Sequence, residues 1–411
     1  MNLSSLKRRL LLFLLVFGPA TITAISDNDA AGVATYSLAG ARFGYSMLFV
    51  LFYVTLLLGI TQEMGIRIAI VTGKGLGDII REKFGILVSI VVFFALSLAN
   101  MGSIVANFAA LKTTTSMFHI PTIPFMVLII VFAFLFVSKG NYITNQRLFL
   151  LGMVLYFAYV ISAVKGSPDW EKAFVSVFLP TDLKLSGEFV FSAIAVLGTT
   201  ITPWGQFFVQ SYLLDKKISL EKLKYVQFET FFGAFLTNFF SFFMIVATAA
   251  TLFVHKIPLV SGEEAALAIR PFAGELAGIL FGVGLLNAAI MGIIIISLTT
   301  AYAFSEFFGL VGSLDVPFQK GKAFYIIFLA QLVIACLIAL IPSVNLFKIV
   351  LVTQSVNGIL LPVIFYFLLN ITNDKELMGT YTNKKWYNYF AIISSVLIII
   401  ASLFTIVSFF L

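Results

Sequence analysis

Charged residues are scarce in this sequence, and their scarcity excludes ordinary soluble proteins. Only 11% of the 411 residues are charged, whereas 60% are hydrophobic and the mean hydropathy is +1.06. A soluble domain carries about 25% charged residues, so this composition does not suit a surface that faces water on all sides. The net charge of +7 does not indicate nucleic-acid binding, because the basic residues lie in short loops between apolar segments.

Cysteine and histidine are equally scarce. The single cysteine, Cys336, lies inside an apolar run, which excludes a disulfide framework and a cysteine-based metal site. The two histidines, His119 and His255, fall in predicted loops, which disfavours a buried histidine proton relay. The longest predicted loop, 165–187, is polar and too short to hold a catalytic site. We therefore do not expect an enzyme.

Long apolar segments dominate the rest of the chain. A membrane-spanning helix needs about 20 apolar residues, and we predict eleven such spans in a single transmembrane domain, 1–411, of the all-α class. Lys and Arg are more frequent in the loops that lie on the same side of the membrane as the N-terminus. This bias predicts a cytoplasmic N-terminus and, with an odd number of spans, an external C-terminus. The predicted spans are 10–42, 45–71, 86–112, 121–138, 147–165, 188–214, 226–254, 273–307, 323–341, 346–370 and 387–410.

Two of these spans are interrupted. The first is apolar up to Ile25 and then reads SDNDAAG over 26–32, and the sixth reads GTTITPWG over 198–205. Non-helical backbone at membrane depth persists only where it lines a cavity or is buried in protein. The two breaks are five spans apart, and repeats of five helices insert with opposite topology. We therefore expect inverted repeats at 10–165 and 188–370 with a substrate site between them, and one extra helix at 387–410.

Two carboxylates occupy the first break. Asp27 and Asp29 lie at a depth where neither interrupted span offers a Lys or Arg partner, and an unpaired carboxylate in a membrane costs at least a few kcal/mol. A cation is the natural partner, and freed backbone carbonyls supply further oxygen ligands. The alternative interpretation is that the first span begins later and that the two acids only cap it near the outer surface.

Hydroxyls and amides supply further candidates. Thr199, Thr200 and Thr202 cluster at the second break, although threonine in a membrane helix often bonds only to its own helix. Gln354 is an amide in an apolar span, where the alternative role is a contact between helices. Glu63 and Arg67 are four residues apart and can pair on one helix face, and Glu306 ends the eighth span. A structural role is the favoured interpretation for these charged residues.

Several short motifs occur together in this chain. Gly18-Pro19 is followed, after nine residues, by Asp29-Ala30-Ala31-Gly32, and Val71-Thr72-Gly73-Lys74 follows the second span. Gly198–Pro203 forms the second break, and Gln354 and Pro362 share the tenth span. In this combination the sequence resembles the natural-resistance-associated macrophage protein (NRAMP) family of divalent metal transporters over nearly the whole chain. The resemblance implies the leucine-transporter fold, which agrees with the repeats inferred from the breaks.

The departures from that family concern its metal and proton sites. Gly32 stands where the family's helix 1 motif has an asparagine ligand, and Thr202 replaces the methionine of its helix 6 motif. Hard oxygen ligands suit Mg²⁺, Ca²⁺ and Mn²⁺, whereas thioethers favour softer metals. Proton-coupled members of the family carry acids in helix 3, which match Asn100, Asn107 and Ala110 here, and histidines in helix 6, which match Trp204 and Val209. The sequence thus resembles the NRAMP-related magnesium transporter branch, which implies transport without protons.

These observations predict a multi-pass transporter of the cell membrane that carries Mn²⁺, Mg²⁺ or both by alternating access. Divalent cations are its substrate and the lipid bilayer its surroundings; no further cofactor, nucleic acid or obligate protein partner is implied. The predicted metal ligands are Asp29 as the central residue, assisted by Asp27, Thr199, Thr202 and Gln354. The predicted lining residues are Gly32, Ala30, Thr200 and Asn357, and Glu63 is the candidate for a proton relay.

Three alternative functions remain at this point. A proton-coupled Mn²⁺/Fe²⁺ importer of the NRAMP type belongs to the same class. A sodium-coupled amino-acid transporter of the same fold is disfavoured because Asp27 and Asp29 would repel the substrate's carboxylate. A channel requires both gates to open together, which the sequence does not exclude.

Overall fold

The computed structural model describes residues 17–181, 186–257, 259, 275–344 and 346–410, except for the side chains at 275, 277, 278, 346, 347 and 405–410. All regular structure in these ranges is helical. The first half contains α1 Pro19–Ser26, α2 Ala30–Phe43, α3 Met47–Thr72, α4 Leu76–Phe84, α5 Ile86–Met117, α6 Thr122–Lys139, α7 Tyr142–Val154, α8 Phe157–Lys165 and α9 Trp170–Phe178. The second half contains α10 Gly187–Thr200, α11 Pro203–Asp215, α12 Leu223–Thr248, α13 Glu275–Phe308, α14 Lys322–Leu340, α15 Leu346–Thr372, α16 Lys375–Met378 and α17 Lys385–Phe410.

The described helices confirm the all-α membrane architecture. Nine of them are long and apolar enough to cross a membrane by length and composition, within the ranges given above. The interruptions explain why this number is smaller than the eleven predicted spans. The helices α2 and α3 are joined by the 3₁₀ turn Gly44–Ser46 and count as one segment, and α10 and α11 are each too short to count. The division into repeats at 10–165 and 188–370 stays a prediction.

Two span boundaries and one loop differ from the sequence prediction. The fifth span begins at Tyr142 rather than at residue 147, and a turn at Leu155 and Tyr156 separates α7 from α8. The third span runs on to Met117. The predicted polar loop 165–187 contains the helix α9, which Asp169 caps by accepting from the Lys172 N–H at 3.0 Å. Residues 10–16 of the first predicted span lie outside the described residues.

The helices are not equally buried. In the most apolar stretch of α13, 67% of the residues are buried, against 22% in α6 and in α17. The helix α13 is therefore central, whereas α6 and α17 turn large apolar side chains towards the lipid, Leu128 and Ile393 among them. A span that is apolar on all sides but half exposed is expected where the surroundings are hydrocarbon.

Glycines allow the central helices to approach closely. A Cβ atom on Gly198 of α10 would lie 1.9 Å from the Gln354 carbonyl oxygen of α15. A Cβ atom on Gly233 of α12 would lie 2.9 Å from the Thr21 Cα atom of α1. Small residues at helix interfaces are typical of membrane proteins, because helix association there depends on close packing. These contacts bring both interrupted spans into the centre of the bundle.

Candidate metal site at the two helix breaks

The first break is a three-residue segment between α1 and α2. The backbone leaves the helix at Asp27 and re-enters it at Ala30, and Asp29 caps α2 by accepting from the Gly32 N–H at 2.7 Å. Gly32 is required sterically, since a Cβ atom there would lie 2.4 Å from the Asp27 carbonyl oxygen. Asn28 anchors the segment to α12 by donating to the Thr237 carbonyl oxygen at 2.9 Å.

The second break faces the first. The helix α10 ends at Thr200, and α11 begins at Pro203, whose fixed φ suits the first position of a helix. Thr202 caps α11 by accepting from the Gly205 N–H at 3.0 Å, and its hydroxyl donates to Asp27 Oδ1 at 2.9 Å. One hydrogen bond thus joins the two non-helical segments directly.

Two buried oxygen atoms at this junction have no hydrogen-bond partner. They are Asp27 Oδ2 and Thr199 Oγ1, in side chains that are each 1% exposed. Both residues border Gly32, because a Cβ atom on this glycine would lie 3.3 Å from Thr199 Oγ1 and even closer to the Asp27 carbonyl oxygen. A buried polar atom without a partner costs about 1–3 kcal/mol, so these oxygens are suited to a cation or to water.

Asp29 has a different environment. Its Oδ2 atom accepts from Asn107 Nδ2 at 2.6 Å, and Asn107 Oδ1 in turn accepts from the Ala30 N–H at 3.0 Å. Both carboxylate oxygens of Asp29 are therefore already hydrogen-bonded, whereas Asp27 has one bonded oxygen, Oδ1, and one without a partner, Oδ2. Neither aspartate forms an ion pair with a basic side chain in the part of the chain that the structure describes.

An amide network leads from Asp29 to the tenth span. Asn107 also donates to the Ser103 carbonyl oxygen at 2.9 Å, and the Ser103 hydroxyl accepts from Asn357 Nδ2 at 3.2 Å. The same Asn357 amide donates to Gln354 Oε1 at 2.9 Å. The structure therefore connects Gln354 and Asn357 to Asp29 indirectly, through Asn107 and Ser103.

Thr200 and Ala30 have structural roles at the site. The Thr200 hydroxyl bonds to the Tyr36 hydroxyl at 2.7 Å and donates to the Val196 carbonyl oxygen at 2.7 Å. Ala30 contributes its backbone N–H to Asn107. Thr200 therefore connects α10 to α2. Its hydroxyl is already hydrogen-bonded, whereas Thr199 Oγ1 has no partner.

Glu63 lies away from the two breaks. Both of its carboxylate oxygens accept from Arg67 at 2.9 Å, and Oε1 also accepts from Gln227 at 2.7 Å. Arg67 donates in addition to the Tyr381 carbonyl oxygen at 2.6 Å. This ion pair ties α3 to α12 and to the segment after α16, which agrees with the structural interpretation of Glu63 and Arg67.

Sequence reasoning did not identify Glu229. This residue of α12 is 0% exposed, and its Oε1 atom accepts from the backbone N–H groups of Gly18 at 2.8 Å and Thr21 at 2.9 Å. It therefore caps α1 from another helix. It is a lone acid in the mostly apolar seventh predicted span, and an acid inside a membrane span needs a partner. This signal could have identified it.

Within the described residues there is no group of three His, Cys, Asp or Glu side chains placed to bind a metal. A cation at the breaks would instead be bound by carboxylate oxygens together with hydroxyl, amide and backbone oxygens. Such a set of hard oxygen donors is what Mg²⁺, Ca²⁺ and Mn²⁺ prefer.

The sequence profile described as natural resistance-associated macrophage protein-like (Nramp) matches residues 20–408. The chain belongs to the Nramp family. This result confirms the resemblance that the motifs at the two helix breaks carry. It leaves open the closer likeness to the magnesium branch, which stays a prediction.

Individual Nramp relatives cover most of the chain. The divalent metal cation transporter MntH of Yersinia pestis (strain Pestoides F) is 24% identical over 381 residues, covering 90% of this chain and 89% of the relative. MntH of Bacillus subtilis (strain 168) is 25% identical over 405 residues, covering 96% and 92%. A crystal structure of the Eremococcus coleocola manganese transporter superposes with a TM-score of 0.76 at 17% identity, covering 99% of this chain and 88% of that one. This likeness confirms the leucine-transporter fold.

Proposed function

We propose that this Nramp protein carries divalent cations across the cell membrane by alternating access, and that Mn²⁺ and Mg²⁺ compete for one site between the two helix breaks. The observation that carries the proposal is the buried Asp27 Oδ2 atom, which has no hydrogen-bond partner, next to a second carboxylate, Asp29. Two carboxylates without a basic partner match the charge of one divalent cation. The MntH relatives are named as divalent metal cation transporters, which supports the same class of substrate.

The geometry favours a revised division of labour between the two aspartates. The sequence motifs pointed to Asp29 as the central ligand and to Asp27 as its helper. We infer that Asp27 Oδ2 binds the cation first, with Thr199 Oγ1 beside it, because these atoms have no other partner. Asp29 would join only by exchanging its bond from Asn107, which is present in this structure.

The bound ion is proposed to keep part of its water shell. Mg²⁺ dehydrates reluctantly and usually retains several waters. Ala30, Ala31 and Gly32 are small and buried, and we propose that they leave room for such an ion. Thr202 offers a hydroxyl rather than a thioether, so discrimination against hard ions is expected to be weak.

The test is a panel of metal uptake measurements in proteoliposomes. Replacing Asp27 or Asp29 by Ala should each reduce Mn²⁺ uptake to background while the protein remains folded in the membrane. Asp78→Asn, which alters a carboxyl of α4 outside the spans, is the control and should retain uptake. Normal uptake by both site variants would refute the proposal, and normal uptake by Asp27→Ala alone would restore Asp29 as the central ligand.

Competition separates the proposal from its main alternative. Millimolar Mg²⁺ should suppress Mn²⁺ uptake if both ions use one weakly selective site. If Mg²⁺ has no effect, the protein is better described as a Mn²⁺/Fe²⁺ importer.

A further inference from the structure

Three polar side chains lie on one face of α11 and its N-cap, on the C-terminal side of the second break. Thr202, Gln206 and Gln210 are four residues apart, which places them one above another along the helix. The row extends over roughly 12 Å at 1.5 Å per residue. It starts at the bond to Asp27 and runs towards Lys216 and Lys217, the end of α11 that the charge distribution predicts to be cytoplasmic.

The row packs against the inner half of α3. Gln206 Nε2 lies 3.4 Å from Thr61 Oγ1, and a Cβ atom on Gly65 would lie 3.2 Å from Gln210 Nε2. Gln210 Nε2 also donates to the Gln206 carbonyl oxygen at 3.1 Å. Because Gly65 has no side chain, the Gln210 amide can pack closely against α3 at this position.

The amide oxygens of this row are buried and unpartnered. Gln206 and Gln210 are 0% exposed, and neither Oε1 atom has a hydrogen-bond partner. Both amide atoms of Gln62, the neighbour of Thr61 on α3, are in the same state. Buried amides are almost always hydrogen-bonded in native proteins. Several unpartnered amide atoms in one place therefore indicate that these atoms bind another group for part of the time. Apolar residues would pack this interface at lower cost.

We propose that Gln206 and Gln210 line the inner route by which the hydrated cation passes between the Asp27 site and the cytoplasm. Neutral amides suit this task, because their oxygens accept hydrogen bonds from the waters around the ion without holding it as a carboxylate would. The proposal rests on the proposed cation transport and assigns the path that the ion takes within it.

A carboxylate contact between three helices lies next to the inner end of the row. Ser211, next to Gln210, donates to Glu306 Oε1 at 2.5 Å, and Glu306 Oε2 accepts from the Gly77 N–H at 3.0 Å. The carboxylate of Glu306 thereby joins α11, α13 and the start of α4.

The first experiment compares rate with affinity. Gln206→Leu and Gln210→Leu should each lower the Mn²⁺ uptake rate at least about tenfold, a factor that corresponds to about 1.4 kcal/mol in barrier height. The affinity for Mn²⁺, measured by calorimetry on purified protein, should change less than about twofold, because Asp27 and Asp29 are intact. Gln331→Leu is the matched control: Gln331 of α14 is also a buried amide with an unpartnered Oε1, but it lies off this row.

The outcomes distinguish the route from the transport function itself. Uptake by Gln206→Leu and Gln210→Leu within about twofold of the parent protein would overturn the route, and so would an equal loss in the Gln331→Leu control. A loss of affinity matching the loss of rate would make the glutamines ligands instead of a route. If the parent protein transports no divalent cation, the proposed function fails before the route is reached.

A labelling experiment covers the case in which the leucine variants fold poorly. The single cysteine allows a Cys336→Ser background in which Gln210→Cys carries the only thiol. A membrane-impermeant thiol reagent should modify residue 210 from the cytoplasmic side of oriented vesicles with Mn²⁺ on both sides, whether or not this variant transports at the parent rate. Modification from the outer side alone, or none from either side, would overturn the proposal.

Discussion

Asn107 and Asp29 form a two-way clamp at the start of α2. The Asn107 amide donates to Asp29 Oδ2 at 2.6 Å, and its oxygen accepts from the neighbouring Ala30 N–H at 3.0 Å. The amide therefore fixes both the carboxylate and the backbone that follows it. It does so from α5, the span in which the resemblance to NRAMP transporters leads one to expect an acid.

We expect the Asn107 clamp to control the pH dependence of uptake. In Asn107→Asp a second carboxylate replaces the amide beside Asp29, and two carboxylates in contact share a proton because they cannot both ionise at low cost. Mn²⁺ uptake by this variant should fall as the pH is lowered from about 8 to about 6, more steeply than in the parent protein. Identical pH profiles for variant and parent would contradict the expectation.

Thr202→Met should change both selectivity and stability. A thioether in place of the hydroxyl favours softer ions, so the ratio of Cd²⁺ to Mg²⁺ uptake should rise. The variant also loses the cap on the Gly205 N–H, which costs about 1 kcal/mol. Thr202→Ser keeps the hydroxyl and is the control for selectivity. A ratio that is the same in Thr202→Met and Thr202→Ser would show that residue 202 does not contact the ion.

Uptake should proceed without proton movement. The described α5 presents Asn100 and Asn107, whose amides do not titrate, and Asn100 donates to Thr300 at 2.8 Å. A pH-sensitive dye inside the liposomes should therefore report no acidification during Mn²⁺ uptake at zero membrane potential. Acidification in proportion to metal flux would contradict this. Glu229 would then be replaced by Gln first, ahead of the predicted Glu63, because Glu229 is fully buried and contacts α1.

An ion pair at the predicted inner surface should give a defined pH dependence of stability. Lys83 of α4 donates to Asp374 at the start of α16, and this bond holds the pKa of the Asp374 carboxyl below its ordinary value of 3.8. A carboxyl with a lowered pKa in the folded state stabilises the protein above its ordinary pKa, and the contribution is lost as the pH falls through the lowered value. The melting temperature of Asp374→Asn should thus lie slightly below the parent's at pH 7.

The exposure of the Lys83 and Asp374 side chains sets the expected size of this stability effect and suggests a control. Both side chains reach solvent, so the difference between Asp374→Asn and the parent should be small and should vanish in high salt. It should also disappear in acid, below the lowered pKa of the carboxyl. Glu82→Gln breaks the exposed pair with Lys74, whose two residues are only eight positions apart in the chain. It should therefore have less effect. A difference that survives high salt would indicate that Asp374 acts through its cap on α16 instead.

The sequence alone determined the class of protein and the position of both helix breaks. Apolar segments of about 20 residues admit few structures other than membrane spans, and the predicted breaks at 26–32 and 198–205 contain the observed ones at 27–29 and 201–202. Asp27, Asp29 and Thr202 could be selected for the same reason, since polar groups at this depth need partners. These inferences are local, because each depends only on neighbours in the chain.

The tertiary structure decided which oxygen atoms have partners. Asp29 is held by Asn107 and Thr200 is bound to Tyr36, across separations of 78 and 164 positions in the chain, while Asp27 Oδ2 is left unpartnered. Periodicity and composition carry no record of such pairs. The amide row of Gln206 and Gln210 was visible in the sequence as a four-residue spacing, but only packing against α3 revealed that its oxygens are buried without partners, because burial is a property of the assembled bundle.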